Sequence, residues 1–280
     1  MIRIGPSGNS DAFYASGRKH TYQEAEFLSE LGLNAFEYSF GRGVSMSDET
    51  AQKIKTEFNK HDIVISVHAP YYTNFANPDP EMIQKSIGYI LQSIEACNKM
   101  GGERVVFHPA ACGKATREQA VSATKSNLKL LAEACKNISY AFKLCVETMG
   151  KNNQIGTVEE VVDFCLIADM FYPCFDFGHI NSYMHGGLKT KDDYRRILDY
   201  TIDRLGFEKA SAMHVHFSKI QYGDKGEIRH LTFEDEKYGP EYEPLAQLFD
   251  EYKMSPYIVC ESNGTMSDDA LIMKKMHKNA

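Results

Sequence analysis

Ile63-Val64-Ile65-Ser66-Val67-His68 and Arg104-Val105-Val106-Phe107-His108 are two short apolar runs, each closed by a histidine, with a helical pattern from about Pro80 to Met100 between them. Runs this short and rich in Val and Ile read as buried strands; two of them joined through a long helix read as a parallel βαβ unit. The alternation extends outward in both directions. Upstream lie a strand over 2–5, a helix over 21–31, a strand over 34–38 and a helix over 48–60. Downstream, strands over 143–146, 173–175, 211–216 and 257–260 alternate with helices over 117–135, 158–169, 191–205, 243–252 and 268–277. Ser47-Asp48-Glu49 and Thr157-Val158-Glu159-Glu160 supply caps and early acids where helices should begin. Eight β-α units predict an α/β fold, a single (β/α)8 TIM barrel. No G-x-G-x-x-G follows the first strand and no Walker-type loop occurs, so nothing favours a dinucleotide- or nucleotide-binding open sheet. No linker or repeat divides the chain, and residues 1–280 read as one domain. The longest irregular stretch is Ser218–Tyr242, after the seventh strand; loops of that length are commonly functional.

With 31 Lys+Arg against 38 Asp+Glu the net charge is −7, and 43% of residues are hydrophobic, so the chain is neither disordered nor a generally basic nucleic-acid binder. A metal-lined groove stays compatible with that balance, because bound cations reverse the local potential. No stretch approaches the ~20 apolar residues of a membrane helix, and Met1-Ile2-Arg3-Ile4-Gly5-Pro6 reads as a strand rather than a signal peptide, so a cytoplasmic protein is expected. A monomer is expected as well. The seven cysteines form no C-x-x-C pair and read as buried, reduced thiols.

Polar residues recur where strands end. His68 and His108 follow the third and fourth strands, Glu147 the fifth, Asp176 (with His179 three residues on) the sixth, and Glu261 the eighth. His214 and His216 lie at the end of the seventh. In a (β/α)8 barrel these ends converge on one face, where such enzymes place their active sites. One strand-end histidine is more often structural, and one strand-end acid is often a helix cap. Six successive cases form a cluster that would be costly to bury without a compensating cation. Imidazole with carboxylate suits zinc, manganese or iron. Counting His230, the donors exceed what one ion needs, which points to two or three metals with a bridging carboxylate, a set suited to phosphodiester hydrolysis.

These residues resemble the endonuclease IV family, the zinc-dependent apurinic/apyrimidinic endonucleases of the xylose-isomerase-like barrel superfamily, over nearly the whole chain. The resemblance is carried by His68-Ala69-Pro70-Tyr71-Tyr72-Thr73-Asn74, Phe107-His108-Pro109, Glu147-Thr148, Asp176-Phe177-Gly178-His179, Met213-His214 with Ser218-Lys219, Arg229-His230 and Glu261. It implies two or three Zn2+ ions. His68, His108 and Glu147 would hold the first; Glu147, Asp176, His214 and Glu261 the second; His179 and His230 the third. A hydroxide bridging the first two would attack the phosphorus 5′ to an abasic site in DNA, making Glu147 and Glu261 the catalytic carboxylates. Tyr71, Asn74, Arg42, Arg229 and Lys219 are the candidate substrate contacts, with an exposed surface arginine the plainer reading of Arg42.

The chain departs from the family in places. Ile228 stands where the family has an aspartate ligand of the third ion; Glu227, one residue earlier, or His216, facing the same way as His214 along the strand, could replace it, or that site is empty. The segment Phe40-Gly41-Arg42-Gly43-Val44 does not match the family's DNA-contacting loop. The competing reading is a sugar or sugar-phosphate isomerase or epimerase of the same superfamily, with one divalent metal, for which His68, His108, His179 and His230 are superfluous. His20, His61 and His277 read as structural, and His185 as a loop residue that could approach substrate.

Overall fold

The computed structural model describes residues 2–277; Met1 and the last three residues of the 1–280 reading lie outside it. Eight parallel strands form one sheet: β1 (Arg3–Pro6), β2 (Ala35–Ser39), β3 (Val64–His68), β4 (Arg104–Phe107), β5 (Lys143–Glu147), β6 (Phe171–Asp176), β7 (His214–Phe217) and β8 (Tyr257–Cys260). From β2 onward each pairs with the next in sequence, and β8 pairs with β1. The ring closes between β1 and β2 through a parallel bridge from Ser7 to Glu37 and the Gly8 amide donating to Glu37 O at 2.9 Å. Gly5 permits that closure, because a Cβ there would stand 1.6 Å from the Ala35 carbonyl oxygen. The architecture is a TIM barrel, as the alternation of short apolar runs and helices requires.

The helices form for local reasons and bury one stripe each. Helix Pro80–Lys99 starts with Asp79 accepting from the Glu81 amide and Pro80 in the first turn, and it buries Ile83, Ile87, Ile90 and Ile94. Helices Arg117–Cys135 and Val158–Cys165 open with capping boxes, Thr116 with Gln119 and Thr157 with Glu160. The apolar faces of these helices pack on the sheet in one continuous core. Every one of the seven cysteines is free, and all but Cys112 are buried.

Several boundaries differ from the sequence reading. The sixth strand begins at Phe171, so Pro173 lies inside it, and the helix expected to run to Asp169 stops at Cys165. The seventh strand begins at His214, because Phe207–Ser211 forms a short helix just before it. Ser218–Tyr242 is not irregular throughout: Ile220–Gly223 and Gly226–His230 pair as an antiparallel hairpin turning at Asp224-Lys225. Short helices Asp11–Ala15 and Phe177–Tyr183 are further additions; neither exceeds two turns, too brief for a helical period to register.

Candidate metal centre

The carboxyl ends of the strands open into a cavity of about 610 Å³, lined among others by His68, Tyr71, His108, Glu147, His179, Glu227, His230 and Glu261. Glu147, the last residue of β5, lies at its centre. His68 ends β3; its Nδ1 donates to the carbonyl oxygen of Ala69 at 2.7 Å, which leaves Nε2 facing Glu147 Oε2 at 3.0 Å. His108, directly after β4, brings its Nε2 to 3.2 Å from the same oxygen. The Tyr71 ring lies over both imidazoles, at 5.0 and 5.5 Å between centroids.

The other oxygen of Glu147 faces a second set of donors. Oε1 is 3.3 Å from His216 Nδ1, and His216 Nδ1 is 3.5 Å from Glu261 Oε1. Asp176 joins them: one donor atom each from Glu147, Asp176, His216 and Glu261 lies within 4.8 Å of every other. Asp176 also caps helix Phe177–Tyr183, its Oδ1 accepting from the His179 amide at 2.7 Å. The structural and the ligand readings of a strand-end acid are thus both available to one side chain.

A third cluster joins His179, Glu227 and His230. His179 Nδ1 donates to Thr148 O at 3.0 Å, which turns Nε2 toward Glu227 Oε2 at 3.4 Å. The Ser218 hydroxyl engages His230 Nδ1 at 2.8 Å. The hairpin carries Glu227 and His230 to the site because it is fastened to the loop after β5: the Glu227 amide donates to Gly150 O at 2.9 Å, and the Asn152 amide to Lys225 O at 3.2 Å. Gly226, at φ +92°, allows this approach; a Cβ there would stand 2.2 Å from Gly150 O.

The donor set fits divalent metal ions. Asp176 Oδ2 is buried and has no hydrogen-bond partner among the described residues. His68 and His179, whose Nδ1 is taken by a backbone carbonyl, present Nε2 to the cluster, the arrangement by which a hydrogen bond behind the ring orients a metal-binding imidazole. The electrostatics agree. Burial alone would raise Glu147, yet His108, His179 and His216 hold it well below the usual carboxylate range. Burial would lower His179 and His216; facing acids, Asp176 and Glu147 for the first and Glu261 and Glu37 for the second, with Cys174 beside it, raise both well above an ordinary imidazole. His108 is lowered by burial, and burial raises Glu261.

Several sequence assignments change. His214, read as a ligand of the second ion, does not join Glu147, Asp176 and Glu261; His216 does. Both rings face the barrel interior, but His214 lies one layer deeper, stacked on Tyr257 at 4.8 Å with Nε2 3.1 Å from Glu37 Oε2. Burial pushes its pKa down to about 4. Lys219 is buried away from the cavity: its ammonium donates to Asp235 O at 2.7 Å and pairs with Glu241 at 3.0 Å, fastening the loop that follows the hairpin. Asn74 is a turn residue whose Oδ1 accepts from the Ala76 and Ala111 amides. Arg42 does not line the cavity. Arg229 does line it, its Nε donating to Gln221 Oε1. Ile228 is 57% exposed on the rim. His185 packs near Tyr222, outside the cavity, and His277 is held between the Tyr242 hydroxyl and Asp250. The sequence reading missed Glu37, wholly buried in the middle of β2. The one available signal was a lone acid inside Ala35-Phe36-Glu37-Tyr38, otherwise an apolar run.

Residues 25–276 match the family described as xylose isomerase-like TIM barrel. The chain belongs to that family. Among its relatives, an uncharacterized protein of Methanocaldococcus jannaschii is 31% identical over 253 residues, 90% of each chain. The probable endonuclease 4 of Acholeplasma laidlawii is 31% identical over 164 residues, 57% of this chain and 54% of the relative. Of solved structures, endonuclease IV from Thermus thermophilus superposes with a TM-score of 0.63 at 19% identity, covering 93% of this chain and 95% of that one. The E. coli 3-keto-D-glucoside 4-epimerase superposes with a TM-score of 0.67 at 16% identity, covering 99% and 97%. At these identities the superpositions establish the barrel and not the reaction. Among the described residues, no helix of this xylose isomerase-like barrel is long and apolar enough to cross a membrane.

Proposed function

We propose that this xylose isomerase-like barrel is a multinuclear, zinc-dependent phosphodiester hydrolase that cleaves DNA 5′ to abasic sites. The observation that carries the reading is the sharing of Glu147. One oxygen faces His68 and His108, the other faces His216 and His179, and the donors exceed what a mononuclear site needs. His68, His108 and Glu147 would hold one ion; Glu147, Asp176, His216 and Glu261 a second; His179, Glu227 and His230 a third, with Glu227 in place of the aspartate that Ile228 replaces. Bound there, such ions supply a nucleophile from water at neutral pH and neutralise charge on a phosphate and its leaving oxygen. The chain's own residues do the rest. Glu147 and Glu261 balance the cations. Tyr71, 51% exposed beside His68 and His108, offers a face for a base or sugar ring. Arg229 and Lys151 on the cavity wall suit a phosphate. A cytoplasmic monomer, formed by the whole chain as one domain, belongs to this reading.

One observation favours the second reading, a sugar or sugar-phosphate isomerase or epimerase with one divalent metal: Lys151 and Arg229 are the only Lys or Arg among the described residues that line the cavity, in a protein of net charge −7. Metal analysis and two assays separate the readings. The hydrolase should carry two or three zinc ions per chain and cleave an abasic-site duplex, and Glu261→Gln should abolish that cleavage. A zinc-loaded protein that leaves the duplex intact yet interconverts ketohexoses would overturn it.

A further inference from the structure

Glu37 is a fully buried acid that belongs to none of the metal clusters among the described residues. It projects from β2 into the barrel beneath the mouth. Its Oε2 accepts from the Ser66 hydroxyl at 2.8 Å and lies 3.1 Å from His214 Nε2; its Oε1 lies 2.9 Å from His216 Nε2. Glu37 Oε1 and His216 Nε2 are both buried without a hydrogen bond of full geometry among the described residues, and they face each other as an ion pair at 2.9 Å. A charge buried this deeply is costly unless paired, and the groups that face it are these two imidazoles and one hydroxyl.

His216 is also set differently from the other histidines of the mouth. His68 and His179 each have Nδ1 taken by a backbone carbonyl oxygen and turn Nε2 toward a carboxylate of the cluster. His216 is reversed. Its Nε2 points down toward Glu37, and its Nδ1 faces Glu147 Oε1 at 3.3 Å and Glu261 Oε1 at 3.5 Å. An imidazole that binds a metal through one nitrogen must carry its proton on the other, and a carboxylate at that second nitrogen fixes both ring and tautomer.

We propose that Glu37 is the positioning residue of the second metal cluster: held by Ser66 and His214, it keeps the proton of His216 on Nε2 and so presents Nδ1 as the ligand atom. The inference rests on the metal centre of the proposed function and is independent of whether DNA or a sugar is the substrate. It also gives His214 a part, bracing Glu37 from below while remaining outside the ligand set.

The experiment compares the full-length wild type with Glu37→Leu, which removes the acceptor, and Glu37→Gln, which keeps an acceptor oxygen without the charge. Zinc affinity is read by competition with a chromophoric chelator, and ligand geometry by the visible spectrum of the cobalt-loaded protein. Glu37→Leu should weaken one zinc by about 10- to 100-fold and alter the cobalt spectrum; Glu37→Gln should lie between it and the wild type. A purely structural role would lower the melting temperature of the metal-free protein and leave affinity and spectrum unchanged, and that outcome overturns the proposal. If Glu37→Leu does not fold, 15N NMR of histidine-labelled, zinc-loaded wild type decides: metal on His216 Nδ1 with the proton on Nε2 is the expected result, and metal on Nε2 is the overturning one. A wild type that takes up no zinc removes the metal centre and this proposal together. A wild type that loads two or three ions, with Glu37 variants that load them equally tightly, removes only the positioning role.

Discussion

The two ends of the barrel interior treat buried polar groups in opposite ways. At the amino ends of the strands, Arg104 donates to Ala212 O at 3.0 Å and lies 5.5 Å over the Tyr257 ring, whose hydroxyl is 2.8 Å from Phe36 O and 3.1 Å from Val64 O. Those groups find their partners within the chain. At the carboxyl ends, Asp176 Oδ2 has no hydrogen-bond partner among the described residues, and carboxylates crowd one another with imidazoles between them. A satisfied polar cluster stabilises the fold; one left open is built for something the chain does not itself contain.

The strongest challenge to that contrast is removal of the shared acid. Glu147→Ala should cost at least two of the bound ions by metal analysis and lower turnover about a thousandfold or more, while the fold persists by circular dichroism. Retention of the full metal complement would break the comparison. Next come the paired histidines of β7. His216→Ala should weaken zinc binding about 100-fold, whereas His214→Ala should leave the metal count intact, lower the melting temperature and weaken zinc binding far less than His216→Ala. The reverse pattern would put His214 back in the ligand set. At the closed end, Arg104→Ala should cost about 2 kcal/mol in a urea melt, through the lost hydrogen bond and cation–π contact, with no effect on metal content.

A further test concerns Glu24, a buried acid outside both clusters. Its carboxyl oxygens have no hydrogen-bond partner among the described residues, and burial, opposed by Arg18, raises its pKa to about 8. The folded protein keeps this proton where the unfolded chain has already released it. Stability should therefore fall as pH rises from about 4.5 to about 8 and level off above. Glu24→Gln should remove that slope, read as the change in unfolding free energy between denaturation curves at pH 5 and pH 9. A slope unchanged by the substitution would mean that Glu24 is ionised when buried. The comparison is sharpened either way: an isolated buried acid takes a proton, and one ringed by imidazoles stays charged.

Much of this was legible along the chain, and particular residues mark where legibility stopped. His68, His108, Glu147, Asp176 and Glu261 were visible because each directly follows or ends a recognisable apolar run. His214 and His216 could not be told apart: a period of two puts both on the inner face, and only the pairing of Asp176 with His216 sets which one reaches the mouth. Glu37 was hidden because a single acid within a strand carries no sign of what it will face. Glu227 was one of two candidates until the hairpin, fastened to Gly150, turned it to His179.

By itself, then, the sequence determined the order of eight strand–helix units and the residue types at their ends, since periodicity, capping and punctuation are local properties of the chain. The tertiary structure alone decided depth and direction. The stagger of strands around a closed barrel sets which layer each side chain occupies, and neighbours distant in sequence set which nitrogen of each imidazole is free.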